Sequence, residues 1–246
     1  MPIIEALLDD LDTDAPVRQV LMGAFWTAVV LDTNPVRCGL ASTLRGETDD
    51  HGPPVPEAGR LLDYTARDLA EWLRSPKTLQ ASIGLATYNA LRHVDEAACA
   101  EVNASQVICE RGAGRRVAIV GHFPFVDDVR QVAKACWVLE LRPRPGDLPA
   151  ERADEILPQA DVVALTSTSL INHTFDDLIR LCSPGSFVVM LGPSTPLCPV
   201  LFNSGVDVLS GTVVQNPERV LRSISQGATF RQIKRGGGLR LLTMAR

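Results

Sequence analysis

The chain has 246 residues, 46% of them hydrophobic and 5% aromatic, and its 24 Lys and Arg against 29 Asp and Glu give a net charge of −5. The hydrophobic fraction excludes a disordered chain, and the length allows one large domain or two modest ones. Because nucleic-acid binding depends on cationic contacts to phosphates and on base stacking, this composition predicts no nucleic-acid partner.

The sequence predicts neither a targeting segment nor a disulfide framework. No apolar run reaches the roughly 20 residues that span a bilayer, and the first residues do not form a secretory signal, so we expect no membrane partner and a cytoplasmic location. The six cysteines form no C-x-x-C pair and are expected to be free thiols. A homo-oligomer is compatible with the sequence.

The first 112 residues predict a small α+β domain. Apolar spacing predicts a helix over 3–11, and three short apolar runs predict an antiparallel meander with strands at 17–22, 25–31 and 36–42. A polar Gly- and Pro-rich stretch at 44–60 is typical of a mobile loop. Helical periodicity follows, with Ser75 as N-cap and Pro76 as first residue of a helix through 91, then a further helix over 95–109.

A break at Gly112-Ala113-Gly114 sets the predicted domain boundary, giving domains of 1–112 and 113–246. Beyond it, β-branched apolar runs alternate with helical segments, which is typical of a parallel sheet covered on both faces. We therefore predict a Rossmann-like α/β domain with strands at 116–121, 136–141, 161–166, 187–192 and 206–210 and helices at 125–134, 150–157, 174–182 and 216–225. For the tail, 234–246, no element is predicted.

Ligands of open parallel sheets bind beyond the carboxyl ends of strands. The first predicted strand ends at Gly121-His122-Phe123-Pro124, which lacks the second and third glycines of the dinucleotide fingerprint G-x-G-x-x-G. Glu140 follows Gly121 by 19 residues, close to the spacing at which an acid meets a ribose hydroxyl. That one match supports a dinucleotide only weakly.

Hydroxyl side chains cluster after the third and fourth predicted strands. Thr166, Thr168 and Asn172 offer donors and acceptors for a ligand, whereas Thr174 with Asp177 has the spacing of a capping box. Gly192-Pro193-Ser194-Thr195-Pro196 is stiff enough for a preorganised binding loop, although Gly-Pro also serves as a rigid strand exit.

The spacing of the four histidines matches no metal motif, but His122 and His173 both follow predicted strands, so the fold could bring them together. A triad of Ser194, a histidine and Asp147 is conceivable without being required by any local pattern, and a hydrolase is disfavoured. Asn89 lies in an apolar helix, where its amide needs partners from a ligand or from the second domain.

Several strings, in order along the chain, resemble the putative heavy-metal chelation family: ASIGLATYNAL (81–91), VGHFPF (120–125), PGDLP (145–149), LPQADVV (157–163), TSTSLINHT (166–174), LGPSTPL (191–197) and LSGTVV (209–214). The resemblance implies an enolase-N-terminal-like domain before the Rossmann-like domain, with a ligand cleft between them. The implied pocket residues are Gly121, His122, Phe123, Pro124, Thr166, Thr168, Asn172, Thr174, Gly192, Pro193, Ser194 and Thr195, with Asn89 from the first domain.

Together these features predict a protein that binds a small anionic ligand, or a divalent or heavy metal with its organic chelator, in the interdomain cleft. Backbone N–H groups of 192–195 and of the helix start near Thr174 would hold the anion. His122 would be a metal ligand or proton donor, and Asn172→Ala or Ser194→Ala would weaken binding. The alternatives are a transferase or lyase with a nucleotide-like cofactor on Glu140, and a structural or partner-binding domain.

Overall fold

The computed structural model describes residues 2–46 and 52–246, so the centre of the predicted loop at 44–60 lies outside the described residues. A small sheet is formed by three antiparallel strands in the order β1-β2-β3, which are β1 (Val17–Met22), β2 (Trp26–Leu31) and β3 (Arg37–Ser42). Its helices are α1 (Ile3–Asp9), α2 (Ala66–Ala70) and α3 (Thr78–Leu91). The predicted meander is confirmed.

Helix α3 packs directly on the small sheet, which explains its many small residues. Ala81, Ala86 and Ala90 are buried, and a Cβ built on Gly39 of β3 would lie 2.0 Å from the Ala86 carbonyl oxygen. The backbones of α3 and β3 therefore approach more closely than any side chain at position 39 would allow.

A large sheet is formed by the remaining eight strands: β4 (Cys99–Ala100), β5 (Arg116–Val120), β6 (Ala135–Glu140), β7 (Leu148–Pro149), β8 (Val162–Thr166), β9 (Phe187–Leu191), β10 (Val208–Val214) and β11 (Leu239–Ala245). The strand order is β4-β11-β10-β9-β8-β5-β6-β7. The strands from β10 to β7 are parallel, whereas β11 and β4 join antiparallel at one edge. The chain runs outward from β5 to β7 and then returns to β8 on the other side of β5, which is the switch point of a Rossmann-type sheet.

Helices cover both faces of the large sheet, as buried parallel strands require. The helices of this second half are α4 (Ala104–Gly112), α5 (Val126–Val132), α6 (Ala153–Ile156), α7 (Thr168–Ile171), α8 (Phe175–Leu181), α9 (Pro217–Ser225) and α10 (Phe230–Gly236). Val117, Ile119 and Val138 pack with Ile108 of α4 and Val129 of α5 on one face, as alternation along the strands predicts. The predicted α/β class and parallel sheet are confirmed.

The two sheets share a hydrophobic core. Leu7 of α1 and Leu85 of α3 belong to the same buried cluster as Leu201 and Leu209 of the second half. On the opposite face of the small sheet, Val30 and Leu40 pack against α9 and α10. The small sheet therefore lies between α3 on one side and α9 with α10 on the other.

Three local predictions are wrong. Helix α3 begins at Thr78 rather than at Pro76, because the Ser75 hydroxyl donates to Gln80 and accepts the Lys77 N–H instead of capping the helix. The segment predicted as one helix over 95–109 contains a 3₁₀ turn, the short strand β4 and only then α4. The tail, left without elements, forms part of α10 and all of β11.

The boundary at 112 stays a prediction. Strand β4 pairs with β11 of the large sheet, and Ala104 and Ile108 of α4 are buried against that sheet. These contacts favour a boundary between 92 and 99. None of the helices among residues 2–46 and 52–246 is long and apolar enough to cross a membrane.

Candidate functional site

A pocket of about 420 Å³ lies at the carboxyl ends of β5, β6 and β8, at the switch point of the large sheet. We call it the rim pocket. It brings together eight of the residues singled out in the sequence: Gly121, His122, Phe123, Glu140, Thr166, Thr168, Asn172 and Thr174. Apolar side chains, which the sequence had not assigned to a site, form part of its wall: Leu139, Leu141, Leu178 and Leu181.

The His122 side chain in the rim pocket is held by a buried carboxylate. Its Nδ1 lies 2.8 Å from Oδ2 of Asp147, whose side chain is fully buried. Because a carboxylate only accepts hydrogen bonds, Nδ1 carries the proton and donates. No partner for the other ring nitrogen, Nε2, is found within the described part of the chain.

Asp147 is held in its ionised form. Burial by itself raises the pKa of this carboxyl, but the hydrogen bonds from His122 and from the Arg144 N–H, with the Arg130 charge 3.7 Å away, keep the pKa below its usual value. An ionised, buried carboxylate behind a histidine is the arrangement that fixes the tautomer of metal-ligating and proton-transferring imidazoles. The sequence indicated Asp147 only as one member of an optional triad.

The turn that carries His122 is fixed by Glu140. The Glu140 carboxylate accepts the His122 N–H at 2.7 Å and the Leu141 N–H at 3.1 Å. Gly121 has φ +102°, and a Cβ there would lie 3.1 Å from Cβ of Thr166, so this position requires glycine. Glu140 thus shapes the pocket from the end of β6.

Hydroxyl and amide groups line the opposite side of the rim pocket. Oγ1 of Thr166 and Oγ1 of Thr168 lie 2.9 Å apart, and Oδ1 of Asn172 accepts from the Thr174 hydroxyl at 2.8 Å. The Asn172 amide nitrogen has no partner within 2–46 and 52–246, so its two donors are available to a ligand. The capping box predicted for Thr174 and Asp177 is wrong, since the Thr174 side chain makes no cap hydrogen bond.

The other predicted residues lie elsewhere. Ser194 and Thr195 are buried, and the Ser42 N–H donates to Oγ of Ser194 at 2.8 Å. Nδ2 of Asn89 donates to the carbonyls of Leu40 and Ser194, both at 3.0 Å. We call this set, Ser42, Asn89 and Ser194, the inter-sheet contact, because it joins β3 and α3 to the loop after β9.

This separation corrects the expectation of a single interdomain cleft. The loop at 192–195, which includes Gly192 and Pro193, contacts the small sheet and β10 instead: Ser194 belongs to the inter-sheet contact, and the Pro193 carbonyl accepts the Thr212 hydroxyl at 2.8 Å. Pro124 is exposed and does not contribute to the lining of the rim pocket, which is formed by residues 120–181 alone. His173 does not approach His122 either, because its Nε2 lies 2.8 Å from the Leu73 carbonyl oxygen.

Metal-ligating residue types are sparse. Within the described residues, no group of three or more His, Cys, Asp or Glu is placed to hold a metal ion. All six cysteines are unpaired thiols, and burial raises the pKa of Cys38 to about 12 and that of Cys136 to about 11, so neither offers a thiolate near neutral pH. His122 is therefore the best placed single ligand in the rim pocket.

Two family models match the chain, one over residues 4–92 and one over residues 103–243, and both are described as putative heavy-metal chelation. A crystal structure of a DUF364-family protein of unknown function from Desulfitobacterium hafniense is 26% identical, with a TM-score of 0.83, covering 99% of this chain and 98% of that one. A second such structure, from Pyrococcus horikoshii, is 18% identical with a TM-score of 0.85 and covers 100% and 98%. An uncharacterised protein of Methanocaldococcus jannaschii is 22% identical over 223 residues, which are 87% of this chain and 85% of the relative.

Proposed function

The chain belongs to the family described as putative heavy-metal chelation, and we propose that it binds a metal ion carried by a small anionic chelator in the rim pocket. The proposal rests on the pair formed by His122 and Asp147. In that pair Asp147 engages Nδ1, which leaves Nε2 of His122, a residue that lines a pocket of about 420 Å³ together with Asn172, without a protein partner in the described part of the chain.

The number of protein ligands supports a chelated ion over a bare one. A transition-metal ion takes four to six ligands, whereas the rim pocket presents one imidazole, a Glu140 carboxylate that already accepts two backbone N–H groups, and an Asp177 carboxylate that pairs with Arg180. The remaining ligands would come from the small molecule. Imidazole nitrogen suits Ni²⁺, Cu²⁺ and Zn²⁺ better than Mg²⁺ or Ca²⁺.

The pocket also suits the organic part of such a complex. The Asn172 amide and the Thr166 and Thr168 hydroxyls can donate to carboxylate oxygens, and leucine side chains from β6 and α8 can cover carbon atoms. In this proposal Asn172 is the donor that orients the anion.

Calorimetry with two probes, Ni²⁺ alone and Ni²⁺ supplied as its citrate complex, tests the proposal. We expect the citrate complex to bind the wild-type protein more tightly than Ni²⁺ alone, and His122→Ala to lose at least about tenfold in affinity. His93→Ala is the matched control, because His93 is exposed and lies outside the rim pocket. Equal affinities of wild type and His122→Ala would overturn the proposal.

A nucleotide-using transferase or lyase remains the second candidate, and the position of Glu140 favours it. Glu140 ends the strand after β5 and lines the rim pocket, where Rossmann-type enzymes place the acid that meets a ribose. Calorimetric titration with adenosine distinguishes this candidate. Binding that is lost in Glu140→Gln and kept in His122→Ala would support a nucleotide over a metal chelate.

The cytoplasmic location, the homo-oligomer and the enolase-N-terminal-like character of the first domain stay predictions. Elemental and mass analysis of the protein as purified would identify a ligand that binds tightly enough to accompany it.

A further inference from the structure

A second cavity, of about 440 Å³, opens between the two halves of the chain and shares no residue with the rim pocket. It is bounded by the segment after α1, by the end of α3 and by the 3₁₀ turn at Pro199–Ser204. We call it the junction cavity. Its size is within the range of small-molecule sites.

The floor of the junction cavity is apolar. Five of its lining side chains are less than 10% exposed: Leu11, Leu91, Leu197, Phe202 and Met244. Such a floor binds the carbon part of a ligand by removing it from water.

Two guanidinium groups lie at the edge of this floor, and only one of them has a carboxylate partner. Nη1 of Arg92 lies 2.6 Å from Oδ2 of Asp10, but Nε of Arg92 is buried without a hydrogen-bond partner. Arg37 donates from Nη1 to the Leu91 carbonyl at 2.7 Å and forms no ion pair with any acid that the structure describes. The Arg37 guanidinium, which has no carboxylate partner among the described residues, therefore offers a binding group for an anion in this cavity.

The charges at the mouth limit what that anion can be. Asp12 and Asp95 line the cavity, are exposed and form no ion pair with a cation among the described residues. Their negative charge disfavours a ligand with more than one carboxylate.

We propose that the junction cavity is a binding site for a small monocarboxylate with an apolar tail. The carboxylate pairs with the guanidinium of Arg37, and the tail packs on Leu11, Phe202 and Met244. The ligand would contact residues from both halves of the chain, so its binding would raise the midpoint of thermal unfolding.

Titration calorimetry with 4-methylpentanoate tests this site, with leucine and glutarate as comparison ligands. We expect 4-methylpentanoate to bind more tightly than glutarate, and Arg37→Gln to weaken it about tenfold. Tighter binding of leucine would identify an amino acid as the ligand, with the acids at the mouth accepting its ammonium group.

Arg231→Gln is the matched control, because Arg231 is an exposed arginine outside both cavities. The Arg37→Lys variant keeps the positive charge but loses the planar guanidinium, so it should bind 4-methylpentanoate with intermediate affinity. It also distinguishes a lost contact from a folding defect in Arg37→Gln. His122→Ala should leave this binding unchanged, so the outcome is independent of the rim pocket. Absence of binding at millimolar concentration, equal binding of glutarate, or an unchanged affinity in Arg37→Gln would overturn the proposal.

Discussion

At the scale of single residues, the rim pocket depends on one partly buried hydrogen bond, which joins His122 to Asp147. The sequence could place His122, Thr166 and Asn172 at one edge, because the carboxyl ends of neighbouring parallel strands must meet there. It could not pair Asp147 with His122, because Asp147 lies in the loop between β6 and β7, and only the folded sheet brings that loop back to Gly121. The signal in the sequence that could have identified Asp147 is an acidic residue in a Pro-Gly-Asp turn after β6, a strand that ends at the pocket.

Asp147→Asn tests this pair. An amide can present either an oxygen or a nitrogen to Nδ1, so the His122 tautomer is no longer fixed. We expect the Ni²⁺–citrate affinity to fall about tenfold or more. Asp177→Asn is the control, since Asp177 also lines the rim pocket but pairs with Arg180; an equal loss in both variants would show a general charge effect instead.

Asp161 provides a prediction about acid stability. Hydrogen bonds from the Arg116 side chain and from its N–H lower the pKa of Asp161 from 3.8 to about 2. Because this folded-state pKa is depressed, the stabilisation is fully present above about pH 4 and is lost as the pH falls toward 2. Urea unfolding followed between pH 2 and pH 5 should show a shallower acid loss in Asp161→Asn than in wild type; parallel curves would contradict the assignment.

At the scale of elements, strands with buried β-branched runs could be predicted to within about two residues, as for β5, β8 and β9. The ends of these strands could be predicted because Gly or Pro, which interrupt regular structure, lies near several of them. Strand β4 could not be predicted, because a strand of two residues carries no periodicity. Its pairing with β11 places Cys99 opposite Met244, which lies far away in the sequence. The Ser75-Pro76 signal failed because the hydroxyl had a nearer side-chain partner in Gln80.

Gly39→Ala tests how closely α3 packs on β3. The new Cβ would lie 2.0 Å from the Ala86 carbonyl oxygen and 2.3 Å from the Ala90 nitrogen, so the helix must move away from the sheet. We expect the free energy of unfolding in urea to fall by about 3 kcal/mol. Gly185→Ala, whose Cβ would meet nothing within 4 Å, should change it little; similar losses in both would contradict the packing argument.

At the scale of the whole molecule, the inter-sheet contact and the shared core join the two halves. The sequence indicated that Asn89 needs partners and that the loop at 192–195 is stiff, and the structure satisfies each with the other. The hydroxyl at 194 was expected to hold a ligand, but a buried oxygen that accepts a backbone N–H is a structural group. Sequence spacing cannot distinguish these two uses of the same serine.

Ser194→Ala should therefore affect stability rather than binding. Removing the hydroxyl leaves the Ser42 N–H without its acceptor, and we expect the free energy of unfolding to fall by about 1–3 kcal/mol. The Ni²⁺–citrate affinity should stay unchanged. Chemical denaturation and calorimetry on the same variant measure both quantities; a loss of affinity with unchanged stability would restore the loop to the binding site.

The most direct test of a metal held by His122 is X-ray absorption spectroscopy of the protein loaded with Ni²⁺–citrate. We predict one imidazole nitrogen in the nickel coordination shell of the wild-type protein and of His93→Ala, and none in His122→Ala. Imidazole scattering that persists in His122→Ala would contradict the assignment of the rim pocket.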